Sequence, residues 1–276
     1  MGTRILSVCF MLAIAAAVIG CDPPPTCDTS LKHLPNILNN NQTSFWYQPI
    51  ASTPALLPNS ADVISHMYSV TTNDLFVSIG DYGRLIYYMD SSNGGAKTNY
   101  ITGLIYNGKT SGGPIRWRSC ISAAAGTDGH SFVLDETDQC AYEFWGLNKN
   151  GNKTAYNMAA LPFSDPDGMY NNPHTSSAGT AMGVCAYIGE VWPDEVTSTV
   201  NHAYWFCFFG EHINLNGGMH VSPACHGDGL ETARSCYDVD PIEGMQFQMN
   251  ASYDISGWAS YQRPIGQALK TYGMYC

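Results

Sequence analysis

Short apolar runs separated by turn residues dominate the chain from about residue 70 onward. Leu75–Ile79, Leu85–Tyr88, Ile101–Tyr106, Ser131–Leu134, Ala141–Trp145, Val184–Ile188 and Ala203–Phe209 are each strand-length and rich in β-branched or aromatic residues. Asn93-Gly94, Asn107-Gly108 and Asn150-Gly151 between them suit tight reversals. Gln246 to Ile255 predicts one or two further strands. Helical spacing is confined to two places. Val63, Ile64 and Met67 mark a short helix over Ala61–Tyr68 that Ser60 can cap. Pro264 can start a second over Ile265–Tyr272, and Gly273 can close it. The pattern predicts a mainly β chain, a single antiparallel β-sandwich-like domain with a few short helices.

A different pattern occupies the beginning. Arg4 precedes an uncharged apolar run, Ile5 to Ile19, and then Gly20-Cys21. The run is shorter than the ~20 residues a membrane-spanning helix requires, so it reads as a secretory signal peptide over 1–20, with no membrane span. Val18-Ile19-Gly20-Cys21 also fits a lipoprotein box, in which Cys21 would be acylated. Residues 21–44, with Pro23-Pro24-Pro25 and Asn39-Asn40-Asn41, read as a leader, and 45–276 as one β-rich domain.

Composition narrows the partners. The 276 residues are 45% hydrophobic and 13% charged, with 27 Gly, 15 Pro and 17 Tyr, which suits strands and turns more than helices. Asp and Glu total 23 against 12 Lys and Arg, a net charge of −11 that repels phosphate backbones. Nucleic acid is disfavoured; an extracellular glycan or another copy of the chain is compatible. An oxidising compartment predicts disulfides among Cys27, Cys120, Cys140, Cys185, Cys207, Cys225, Cys236 and Cys276, with Cys225–Cys236 the natural local pair. Asn41, Asn152 and Asn250 begin glycosylation sequons.

Several stretches resemble a widespread family of secreted bacterial proteins of uncharacterised function. The resemblance runs from about Trp46 to Met274 and includes Trp46-Tyr47-Gln48-Pro49-Ile50 and Asp128-Gly129-His130-Ser131-Phe132-Val133-Leu134-Asp135. It continues with Cys140-Ala141-Tyr142-Glu143, Tyr253-Asp254-Ile255-Ser256-Gly257 and Ala268-Leu269-Lys270-Thr271-Tyr272-Gly273-Met274. Where that family has Ile-Glu-Gly-Gly and Ser-Ala-Asp-Ala-Ala-Gly, this chain has Ile121-Ser122-Ala123-Ala124 and Ser177-Ala178-Gly179-Thr180-Ala181-Met182-Gly183. Two acidic positions are thereby absent.

The candidate chemistry lies at strand ends. Asp128, His130, Glu190, His202 and Asp254 would form an acid–base site if they converge, and would otherwise tie strand termini together. A glycan-active hydrolase needs a carboxylate pair, which Asp128, Glu190, Glu195 or Asp254 would have to supply. Asp165 and Asp167, followed by Asn171, have the alternating oxygens of a calcium loop, although Pro166-Asp167-Gly168 is also a good plain turn. No other cofactor is indicated. The expectation is a secreted, disulfide-stabilised glycoprotein with a structural, self-associating or carbohydrate-associated role, and the glycoside hydrolase is the alternative.

Overall fold

A computed structural model describes residues 43–70, 83–104, 111–148, 152–165, 167, 182–184, 186–206, 220–224 and 241–276. Within these the chain forms nine strands and two α-helices in three sheets. Strands β1 (Leu85–Met89), β4 (Ser131–Asp135), β5 (Cys140–Trp145) and β6 (Asn157–Pro162) make the largest, in that order. β2 (Asn99–Thr102) and β3 (Ser111–Ile115) form an antiparallel ribbon. β7 (Tyr204–Trp205), β9 (Met274–Tyr275) and β8 (Gln246–Phe247) form the third sheet, with α2 (Arg263–Thr271) leading into β9. Helix α1 (Ser60–Val70) follows a 3-10 turn at Phe45–Tyr47.

The antiparallel expectation needs correcting. β1 runs parallel to β4, and β7 parallel to β9. Both pairs are joined by long excursions, which is how parallel neighbours must be connected. Mainly β is right; purely antiparallel is not.

Side-chain alternation along the four-stranded sheet divides the core in two. Register places Tyr88, Leu134, Ala141 and Leu161 in one cross-strand row and Tyr87, Val133, Tyr142 and Ala160 in the next, on the opposite face. The Tyr88 face packs against Trp46, Val184, Tyr187 and Ile188. The Tyr87 face packs against Ile101 and Ile115 of the ribbon, with Ile121 and Leu147. All five residues of β4 are buried, so its middle, Phe132–Leu134, is a continuous apolar run instead of an alternation. A third cluster joins α2, through Ile265, Ala268 and Leu269, to Val200 and Tyr204.

Other expectations are refined or changed. Val184–Ile188 is not a strand: Ala186–Gly189 is a buried 3-10 turn, entered from Gly183 at φ +77°. Its apolar residues answer to burial, which a turn satisfies as well as a strand does. The Gln246–Ile255 stretch supplies one of the one or two strands expected, Gln246–Phe247, and goes no further because Asn250 and Asp254 each accept a backbone N–H two residues ahead and make turns. Ser60 is the first residue of α1 and not its cap. Of the expected disulfide cysteines, Cys140 is a thiol in this structure. Cys120 is disulfide-bonded. Cys27, Cys185, Cys207, Cys225 and Cys236 lie outside the described residues, as do Leu75–Ile79, Asn107-Gly108, Asn150-Gly151, Asn41 and the signal segment.

Helix α2 ends as its sequence suggests. Gly273 has φ +73°, and a Cβ there would sit 2.3 Å from the Phe247 carbonyl oxygen, so only glycine lets β9 begin beside β8. No helix among the described residues is long and apolar enough to cross a membrane.

Candidate functional site

The register that divides the core also gathers the polar residues. One step before the pairs Leu85–Ser131 and Ser131–Phe144, the next row holds Arg84, His130 and Trp145, on the same face as Phe132 and Glu143. Arg84 is the hub. Its guanidinium donates to Glu190 Oε1 at 2.9 Å, lies 4.2 Å over the Trp205 ring and 5.9 Å from the Phe132 ring. Glu190 is delivered by the tight turn before it: a Cβ on Gly189 would meet the Trp205 backbone nitrogen at 2.6 Å and the Trp46 ring at 2.8 Å.

Burial sets the protonation here. It is the largest influence raising Glu190 above the ordinary carboxylate range, opposed by the positive charge of Arg84 and by His202. The Glu190 side chain nonetheless keeps 26% of its exposure. His130 is pushed down to about 3, first by burial and then by Arg84, with a hydrogen bond to the Phe144 backbone working the other way. It is therefore a neutral imidazole at physiological pH. Asp128 Oδ2 stands 3.9 Å from its Nε2, and among the described residues Nδ1 is buried without a partner.

Behind Glu190 sits a second pair that closes a loop. Glu195, 1% exposed, accepts the Trp192 backbone N–H at 3.0 Å with Oε2 and meets His202 Nε2 at 2.8 Å with Oε1. His202 Nδ1 donates to the Ala203 carbonyl at 2.8 Å, so one proton is held between Nε2 and the carboxylate. Tyr47 and Tyr204 box the imidazole with edge-on rings. Burial and the nearby Glu195 push the Tyr47 phenol up to about 12 and raise that of Tyr204 as well.

Four of the five expected residues therefore share one electrostatic neighbourhood: Asp128 stands by His130, Arg84 is bonded to Glu190 and its charge reaches His130, and the charge of His202 reaches Glu190. Asp254 does not join them. It is exposed, and hydrogen bonds from Ser256 hold its carboxyl below the usual range. The calcium residues serve the N-terminal turn instead: Asp167 accepts Trp46 Nε1 with its backbone carbonyl at 2.9 Å, and Asp165 accepts the Asp167 N–H at 3.2 Å. Asn171 lies outside the described residues. Among those described, no group of three His, Cys, Asp or Glu is placed to hold a metal. Sequence reasoning missed Arg84 and gave Glu195 only a secondary place. A cation immediately before a buried strand, in a chain with few cations, was the available signal for Arg84.

A groove opens beside the Glu195–His202 pair, and neither Arg84 nor Glu190 lines it. An open depression of about 620 Å³ runs between the loop Val196–Val200 and the turn-and-helix segment from Ile255 to Gln267. Its polar groups are the hydroxyls of Thr197, Ser198, Thr199, Ser260 and Tyr261, the Gln267 amide and the Arg263 guanidinium. Among the described residues, no Asp, Glu or His lines it. The Thr197 and Ser198 hydroxyls both donate to the Asp194 carbonyl at 3.0 Å, which leaves their oxygens able to accept. The indoles give no exposed stacking platform: Trp192 is buried, and Trp145, Trp205 and Trp258 are half-buried.

Compared with protein-family models, curated proteins and solved structures, the chain finds no match.

Proposed function

We propose that the protein is a secreted, non-catalytic β-sandwich-like domain, disulfide-stabilised, that binds a neutral carbohydrate in the groove between Val196–Val200 and α2. The observation that carries this reading is the groove's lining: hydroxyls, an amide, a tyrosine ring and one guanidinium, with no carboxylate or imidazole among the described residues. Sugars are held by such acceptor and donor arrays with an aromatic face beside them, and a general acid or base is what hydrolysis would add. The net charge of −11 fits a neutral ligand better than an anionic one. The leading apolar segment Ile5 to Ile19 supports secretion, and the exposed Asn152 and Asn250 would be open to glycosylation.

On this reading the pairs are architecture: Arg84–Glu190 ties the start of β1 to the turn at Gly189, and Glu195–His202 holds the loop that carries the groove wall. The glycoside hydrolase is the second reading, favoured by one observation: Glu190 is a raised, partly exposed carboxyl on the face that also carries the buried Glu143. Against it, Glu190 is bonded to Arg84 and Glu195 to His202, so neither carboxylate is at liberty. Affinity electrophoresis through a panel of soluble neutral and acidic polysaccharides tests the proposal. Retardation by a neutral glycan that is lost in Tyr261→Ala and Gln267→Ala, with unfolding midpoints unchanged, supports it. Retardation that survives both substitutions, or none on any glycan, rejects the groove.

A further inference from the structure

The groove wall is short and polar, and something must hold it in shape. Thr197, Ser198 and Thr199 are exposed, and only Val196 and Val200 turn inward. The two residues that bracket this stretch, Glu195 and His202, are buried and bonded to each other at 2.8 Å. The other oxygen of Glu195 closes the preceding turn on the Trp192 N–H, and the other nitrogen of His202 is fixed on the Ala203 carbonyl. Each end of the wall is thus tied twice, once to its own backbone and once across to the other end.

We infer that Glu195 and His202 are positioning residues for the groove: their buried hydrogen bond clamps the loop between them and sets the spacing of its hydroxyls for the ligand. This rests on the groove being the binding surface. The clamp works through hydrogen bonds, not through net charge. A glutamine at 195 can reproduce both contacts, its carbonyl accepting the Trp192 N–H and its amide donating to Nε2 of a neutral His202 whose Nδ1 still donates to Ala203. An alanine can reproduce neither. The two substitutions therefore separate the clamp from simple loss of a charge.

Hydrogen–deuterium exchange on the full chain reads the loop without any ligand, so this part of the inference stands or falls independently of glycan binding. In Glu195→Ala, exchange across Thr197–Thr199 should quicken by about tenfold or more, while β4 and β5 stay protected as in the wild type. Glu195→Gln should remain within about threefold of the wild type. On any glycan the wild type binds, affinity should fall with the alanine and persist with the glutamine. Unchanged exchange in Glu195→Ala, equal acceleration in both variants, or loss of protection throughout β4 and β5 would each overturn the clamp. Wild-type binding to no glycan, with the exchange result as expected, would leave the clamp and remove the function proposed for the groove.

Discussion

Two ionic clusters occupy opposite faces and opposite ends of the same sheet, and they are built differently. Around β4's far end, Arg116 donates to Asp135 at 2.8 Å and Asp138 at 2.9 Å, Lys97 pairs with Asp138, and the Tyr142 hydroxyl donates to Asp138 at 3.2 Å. Asp135 also accepts the backbone N–H groups of Thr137 and Asp138, so its carboxylate closes the β4–β5 turn. Both carboxylates come from one hairpin. In the Arg84 cluster the members come from residues 84, 130, 190, 195 and 202, and buried Tyr204 and Trp205 polar atoms beside it have no partner among the described residues. The first cluster secures a turn that the chain would nearly form alone. The second fixes segments that only tertiary structure brings together, and burial there is costly unless every member stays in place.

That contrast ranks the expected losses. Arg84→Ala should be the most damaging, about 3–5 kcal/mol in urea unfolding, because it strands Glu190 in a partly buried site and removes the stack on Trp205. Asp135→Ala should cost less, about 2–3 kcal/mol, because Asp138 remains to neutralise Arg116. If the two losses are equal, the distinction between a tertiary clasp and a local one fails.

The acid response should separate the clusters next. His130 has a folded pKa of about 3, below its unfolded value of about 6.5. Its contribution is fully present above pH ~6.5, where both states are neutral, and is lost as pH falls toward 3 and the unfolded chain takes up the proton first. Near pH ~4.5 the loss should be about 2–3 kcal/mol, and His130→Phe should flatten the pH dependence of the unfolding midpoint. An unchanged profile in that variant would remove His130 from the account. Asp138 is held below the usual carboxylate range despite its partial burial, chiefly by Lys97 and Arg116, so its contribution is lost only at lower pH.

The smallest effect belongs to Lys97. Its side chain is 36% exposed, so Lys97→Ala should cost at most ~1 kcal/mol. A larger loss would mean that the hairpin cluster depends on its whole network.

How much of this could be read from the chain follows the same division. β1, β4 and β5 were legible because their apolar runs are local and dense. β3, which contains Gly112-Gly113-Pro114, and two-residue β9 were not, because pairing alone makes them strands, whereas β7 lies inside the expected Ala203–Phe209 run. Asp128, His130, Glu190 and His202 stood out as polar residues at strand ends, and their neighbourhood follows from it. Arg84 and Glu195 did not, because an arginine's partner across a sheet leaves no trace in its own neighbours. Asp254 looked like Asp128 in sequence; its Ser256 turn keeps it at the surface.

The central claim is that the protein holds a glycan without cleaving it, with Glu190 serving the fold. Its most direct test is the release of reducing ends over time from the polysaccharide that shows Tyr261-dependent retardation, using wild type and Glu190→Gln side by side. The account predicts no release by either protein and the same retardation for both. Release by the wild type that disappears in a folded Glu190→Gln would contradict it and make Glu190 a catalytic acid.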